Sequence, residues 1–93
     1  MSWEGTMSTV VRHLINDVDS SSYTFSNDRI ETAILVAAQL QLMNVDFSNE
    51  YTVDLETNIL SPDPTDTDTK DNPFIALTSL RAASIILAAE IRK

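Results

Sequence analysis

The sequence predicts a mainly α fold: a small helical bundle of about three helices with an inserted β-hairpin and an acidic loop before the C-terminal helix. Three observations predict it. Two stretches, Ile30 to Val45 and Phe74 to Ile91, read as helices that are apolar on more than one face. At Tyr51 the apolar period drops from 3.6 residues to two. From Ser61 to Asn72 the chain then holds only polar, charged and proline residues, SPDPTDTDTKDN.

The first helix is expected from about Met7 to Asp17. Met7, Val10, Val11, Leu14 and Ile15 share one face, and Arg12, His13, Asn16 and Asp17 the other, as in an amphipathic surface helix. Val18 to Ser26 holds four serines, one threonine and two aromatics, and reads as a loop pinned by Tyr23 and Phe25. Ser26 or Asn27 can cap the second helix, with Asp28 in its first turn facing the positive end of the helix dipole. That helix runs to Met43 or Asn44, and Asn44 suits a left-handed C-cap. Ile30, Ile34, Ala37, Ala38, Gln41 and Val45 mark one of its sides. Leu35 and Leu42 mark a second, and Val36, Leu40 and Met43 a third; Thr32 and Gln39 leave a narrow polar strip.

After the loop from Val45 to Glu50, Tyr51, Val53 and Leu55 alternate with Thr52, Asp54 and Glu56, the pattern of a half-buried strand. Glu56 to Asn58 can turn the chain into a short return strand at Ile59 and Leu60, which Pro62 ends. An isolated hairpin is marginal in water, so this one must lie on the helices or on a neighbouring chain. The acidic segment that follows is expected to be a solvated loop. Asn72 and Pro73 restart helix, Asn as the cap and Pro at the first helical position. The last helix is about 30 Å long. Leu77, Leu80, Leu87 and Ile91 lie on one side of it with Phe74 and Ile85 nearby, Ile75 and Ile86 lie well away, and alanines and Ser84 supply a small-residue surface.

A chain of 93 residues makes one domain with a small core and no room for a cofactor cleft as well. Two long helices apolar all round cannot both be wrapped by so little material, and large uncovered apolar patches mark partner surfaces. A formal net charge of −8 with six scattered basic residues argues against general nucleic-acid binding. It favours solubility, a basic partner, or a surface that DNA passes without sticking. No cysteine is present, which removes disulfides, thiol nucleophiles and thiolate metal sites. The start MSWEGTMS shows neither the basic nor the apolar region of a signal peptide. Thr78, Ser79, Arg81, Ser84 and Glu90 interrupt the last apolar stretch, against a membrane span.

Catalytic chemistry has little to work with. His13, the single histidine, sits on the polar face of the first helix without a nucleophile beside it. The single glycine, Gly5, excludes a Gly-rich phosphate loop. Asp17 to Asp28 echoes a calcium loop, with Asp17, Asp19 and Ser21 at the first, third and fifth positions and a carboxylate at the twelfth. The echo breaks where Ser22 replaces the glycine that the sharp turn needs, and where Asp28 is too short for a bidentate glutamate's role. Asp63, Asp66, Asp68 and Asp71 lack a glycine turn and enclose Lys70, so they too read as a solvated loop rather than a cation site. Neither catalytic residue, metal nor cofactor is expected.

Three strings carry a resemblance: LINDVDSSSYTFSNDRIETAILVAAQLQL (Leu14 to Leu42), YTVDLETNILSPDP (Tyr51 to Pro64) and DNPFIALTSLRAASIILAAEIR (Asp71 to Arg92). In this order they resemble the head–tail connector proteins, the neck or head-completion adaptors, of tailed bacteriophages. The resemblance covers nearly the whole chain and rests on packing and turn patterns. It implies a mainly helical adaptor with a hairpin or long loop, assembling as a ring, typically a dodecamer, under the portal protein. Such a ring lies in the virion neck after assembly in the host cytoplasm. It joins the portal to a tail, stopper or terminator protein, and genomic DNA passes its lumen without specific binding. Many relatives continue beyond the last helix, whereas this chain stops at Lys93, soon after it.

On this reading Leu77, Leu80, Leu87, Ile91, Ile75 and Ile86 of the last helix and Leu35 and Leu42 of the second pack against neighbours. Asp63, Asp66, Asp68 and Asp71 form a loop that meets a partner or the DNA channel. Two other readings use the same residues: a small acidic inhibitor that mimics DNA, and a helical regulatory dimer.

Overall fold

The elements follow in the order α1 (Trp3–Leu14), α2 (Asn27–Asn44), β1 (Thr52–Asp54), β2 (Ile59–Ser61) and α3 (Asn72–Ile91). This is the architecture of a computed structural model that describes residues 3–18, 24–47, 49–66 and 68–91. A small helical bundle with an inserted hairpin is therefore the fold. α2 is its axis, packed against α1, α3 and β1, and α1 also packs against α3. Trp3, Met7 and Val11 of α1, Ile30, Ala33, Ile34, Leu35, Ala37 and Ala38 of α2, Leu60 of β2, and Phe74, Ala82, Ala83 and Ile86 of α3 supply the core. Each large side chain fully enclosed there stabilises the fold by roughly 1.5–3 kcal/mol.

α1 begins a turn earlier than Met7, because Trp3 extends the Met7–Val11 row backwards at four-residue spacing and is itself buried. It stops at Leu14, before the expected Asp17, and Asn16 turns the chain with a left-handed φ of 59°. Leu14 is thereby left exposed, and Ile15 makes the core contact instead. Arg12 and Asp17, expected on the solvated face, are both buried.

α2 starts at a Ser26 N-cap whose Oγ accepts the Arg29 N–H at 3.1 Å. Its C-cap is Val45 in an extended conformation, not Asn44. Asn44 stays helical and spends its side-chain amide on the Leu40 carbonyl, 3.0 Å away. Extended Val45 leads the chain towards Phe47, which packs edge-on against Phe74 with ring centroids 5.0 Å apart.

The hairpin pairs Thr52 with Ser61, Val53 with Leu60 and Asp54 with Ile59. Asp54 Oδ1 closes the turn by accepting the N–H groups of Glu56 and Thr57, at 3.0 and 3.3 Å, and Asn58 takes a left-handed φ of 57°. Tyr51 and Val53 pack on the core as their alternation predicts. Leu55 does not, because pairing ends at Asp54, and it is left exposed near Ile59. The Ser61–Pro62 peptide is cis.

α3 is capped one residue earlier than expected. Asp71 Oδ1 accepts the Phe74 N–H at 3.3 Å and the Asp71 carbonyl accepts the Ile75 N–H at 3.0 Å, so Asn72 and Pro73 open the helix itself. An acidic side chain at this position also suits the positive end of the helix dipole.

Candidate functional site

α3 is inverted. Its buried side carries Phe74, Thr78, Ser79, Ala82, Ala83 and Ile86, whereas Leu77, Leu80 and Leu87 are 41%, 54% and 44% exposed. The hydroxyls of Thr78 and Ser79 are enclosed and make no hydrogen bond among the described residues. Leu77, Leu80, Ser84 and Leu87 recur at spacings of three, four and three, the stagger of a seam that accepts another helix or strand. The inner face combines small residues, Ala82 and Ala83, with Phe74 and Ile86. Ser84 holds its own hydroxyl on the Leu80 carbonyl at 3.1 Å.

Beside this seam α2 and α3 leave a groove of about 410 Å³, lined by Leu40, Gln41, Leu77, Leu80, Arg81, Ser84 and Ile85. Leu77, Leu80 and Leu87, expected at a partner surface, are exposed, and the first two line this groove. Leu35 of α2 and Ile86 of α3 are instead wholly enclosed in the chain's own core, on the inward sides of their helices. Leu42 and Ile75 are half-buried and pack on that core. The side chain of Ile91 lies outside the described residues. A second apolar feature, at the hairpin tip, is formed by Leu55 and Ile59 between the exposed carboxylates of Asp54 and Glu56.

The acidic loop is organised rather than freely solvated. Pro64, Thr65 and Asp71 are buried. Asp63 Oδ1 accepts the Thr65 N–H at 2.8 Å and the Thr65 hydroxyl at 2.6 Å, and the Asp63 carbonyl accepts the Thr69 hydroxyl. Asn49 donates to the Thr69 carbonyl and to the Tyr51 oxygen, and Tyr51 donates to Asp71 Oδ2 at 2.9 Å. The Tyr51 ring stacks on Phe74 at 4.0 Å. Burial, reinforced by the Asp71 carboxylate, pushes the Tyr51 phenol up to about 12, so it stays a donor. Of the four aspartates, Asp66 and Asp68 are exposed, Asp63 is half-buried and Asp71 is buried. Composition alone could not separate the two pairs, since what recruits Asp63 and Asp71 is threonine and tyrosine chemistry twenty residues away or less.

The calcium echo resolves differently. Asp17 Oδ2 pairs with Arg12 at 2.8 Å, and its two oxygens accept the N–H groups of Thr24 and Phe25. Arg12 also donates to Asn27 Oδ1 at 2.9 Å. The Thr24 N–H, then that of Phe25 and the Arg12 charge, hold the Asp17 carboxyl below its ordinary value despite burial. This carboxylate ties the α1–α2 connection together. Asp19, Ser21, Ser22 and Tyr23 lie outside the described residues, and among those described no three His, Asp or Glu side chains converge on a cation position. His13 is exposed, with Nδ1 2.9 Å from the Thr9 carbonyl of its own helix.

Asn72–Ala89 has the length and composition to cross a bilayer, and here one side of that segment is the bundle core. Comparison with family models, with characterised proteins and with solved structures finds no match.

Proposed function

We propose that this chain is a ring-forming head-to-tail adaptor of a tailed phage, docking under the portal protein and linking it to tail, stopper or terminator components around the DNA channel. The observation that carries the reading is the outward leucine row of α3. A helix that encloses threonine and serine beside Phe74 and Ile86 while leaving three leucines half-exposed holds apolar surface that its own core does not use. Covering the exposed halves of Leu77, Leu80 and Leu87 gains on the order of 1 kcal/mol each. That sum is well short of the roughly 8 kcal/mol behind a micromolar dimer. Contacts this weak suit subunits gathered on a template, where neighbours are already held close.

The loop chemistry fits the same role better than DNA mimicry. A mimic must present carboxylates in a phosphate-like row, and two of the four loop aspartates here are turned into the fold. Asp66 and Asp68 face outward, where like charge repels a passing duplex. The test is the mass and image symmetry of the complex formed with the phage's own portal protein. The expected result is a stoichiometric ring; absence of binding at micromolar concentration with intact portal overturns the proposal.

A further inference from the structure

Resting on that adaptor reading, we infer that the hairpin tip of one subunit, Leu55 and Ile59 between Asp54 and Glu56, seats in the α2–α3 groove of the next copy, with Arg81 meeting the tip's carboxylates. Three observations lead there. The groove is apolar at Leu40, Leu77, Leu80 and Ile85 and carries one charge, Arg81, which makes no ion pair among the described residues. The tip carries the complementary sign: two half-exposed aliphatic side chains, Leu55 and Ile59, which line a hollow shared with Gln39 and are flanked by two exposed carboxylates. Its turn is stiffened from within, because Asp54 Oδ1 holds the N–H groups of Glu56 and Thr57.

Charge selects between the ways two copies could meet. Groove against groove brings arginine to arginine with no acidic residue in the lining, and tip against tip brings four carboxylates together. Tip into groove satisfies both signs. It is also a heterologous contact, which can run from subunit to subunit and close a ring. Donor and acceptor sit on different sides of α2: Gln39 lines the hollow under the hairpin, while Leu40 and Gln41 line the groove beside α3. Each subunit can therefore give its tip to one neighbour and receive the tip of the other.

The chain has no cysteine, which makes disulfide trapping clean. Leu55→Cys at the tip and Ser84→Cys in the groove are each made in the full chain, mixed with portal protein, and oxidised with copper–phenanthroline. The contact predicts a mixed Leu55→Cys/Ser84→Cys disulfide at least about ten times faster than either homodimer, because only that pair is held close. Homodimers alone, or no cross-link, overturn it. Particle mass from the same samples separates the two claims: a stoichiometric ring lacking the mixed cross-link removes only this contact, and a portal that recruits no subunit removes the adaptor reading as well. Independently, Arg81→Glu should lower the subunit occupancy of the portal complex at least about tenfold, and Glu56→Arg in the same chain should restore it. Full occupancy in Arg81→Glu alone overturns the pairing.

Discussion

α2 and α3 look alike as sequences and differ in the fold. Both are apolar around most of their circumference, yet α2 buries Ile30, Ala33, Ile34, Leu35, Ala37 and Ala38, whereas α3 buries Thr78, Ser79, Ala82 and Ala83 between Phe74 and Ile86 and sends three leucines outward. Position explains the contrast. α2 is surrounded by α1, α3 and the hairpin, so its extra faces find partners inside the chain. α3 packs on α2 and α1, and its leucine row is left exposed. An all-round apolar helix thus marks either the axis of a bundle or an interface, and only its place among the other elements tells which.

The contrast breaks most visibly in the core. Ile34→Ala on α2 should cost about 2–5 kcal/mol in urea unfolding, whereas Leu80→Ala on α3 should stay within about 1 kcal/mol. Equal losses would mean that α3's outer face is part of the monomer's own core. Next in size is the contact that anchors the start of α3. Tyr51→Phe leaves the buried Asp71 carboxylate short of one donor and should destabilise by about 1–2 kcal/mol. The inner face of α3 should respond in the opposite direction. Thr78→Val and Ser79→Ala remove enclosed hydroxyls that have no partner among the described residues, and each should gain up to about 1 kcal/mol. A loss there would show that those hydroxyls are satisfied.

Titration sharpens the picture at the other end of α2. The Asp17 carboxyl is lowered in the fold, so its ionised form contributes stability above the ordinary value of 3.8, and that contribution is lost as pH falls through the lower folded value. Asp17→Asn should therefore lower Tm at pH 7 and flatten its decline below pH 4. Glu31 has the reverse sign: burial, with Glu4 and Asp28 nearby, raises its carboxyl above 4.5, so its ionisation costs stability as pH rises past that value. Glu31→Gln should raise Tm slightly at pH 7 and leave it unchanged near pH 3. The smallest effect belongs to the exposed aspartates. Exchanging Asp66 and Asp68 for Asn should leave thermal unfolding and portal binding unaltered, and a folding defect would contradict their outward placement.

Much of the fold was legible because its signals are local. The Ser26 cap, the switch of period at Tyr51 and the Asn72-Pro73 restart are each readable within a few residues. Several errors turn on partners that periodicity does not reveal. Arg12 and Asp17 read as surface charges until the turn at Asn16 folds them onto each other and onto Asn27. Asp71 becomes the cap of α3 because Tyr51, twenty residues upstream, holds its other oxygen. For the candidate surface, helical periodicity placed Leu77, Leu80 and Leu87 on one side but could not say whether that side faces in or out. The same ambiguity put Leu35 and Ile86 among the expected contacts, although α2 and α3 enclose both.

Native mass spectrometry of the wild-type chain and of Leu80→Asp, each mixed with the portal protein and each checked for thermal unfolding alone, tests the central claim most directly. A leucine that serves only an interface predicts a stoichiometric ring for the wild type and a folded, unassembled monomer for the variant. A Leu80→Asp ring of wild-type mass, or an unfolded variant, would contradict the assignment of α3's outer face to subunit contact.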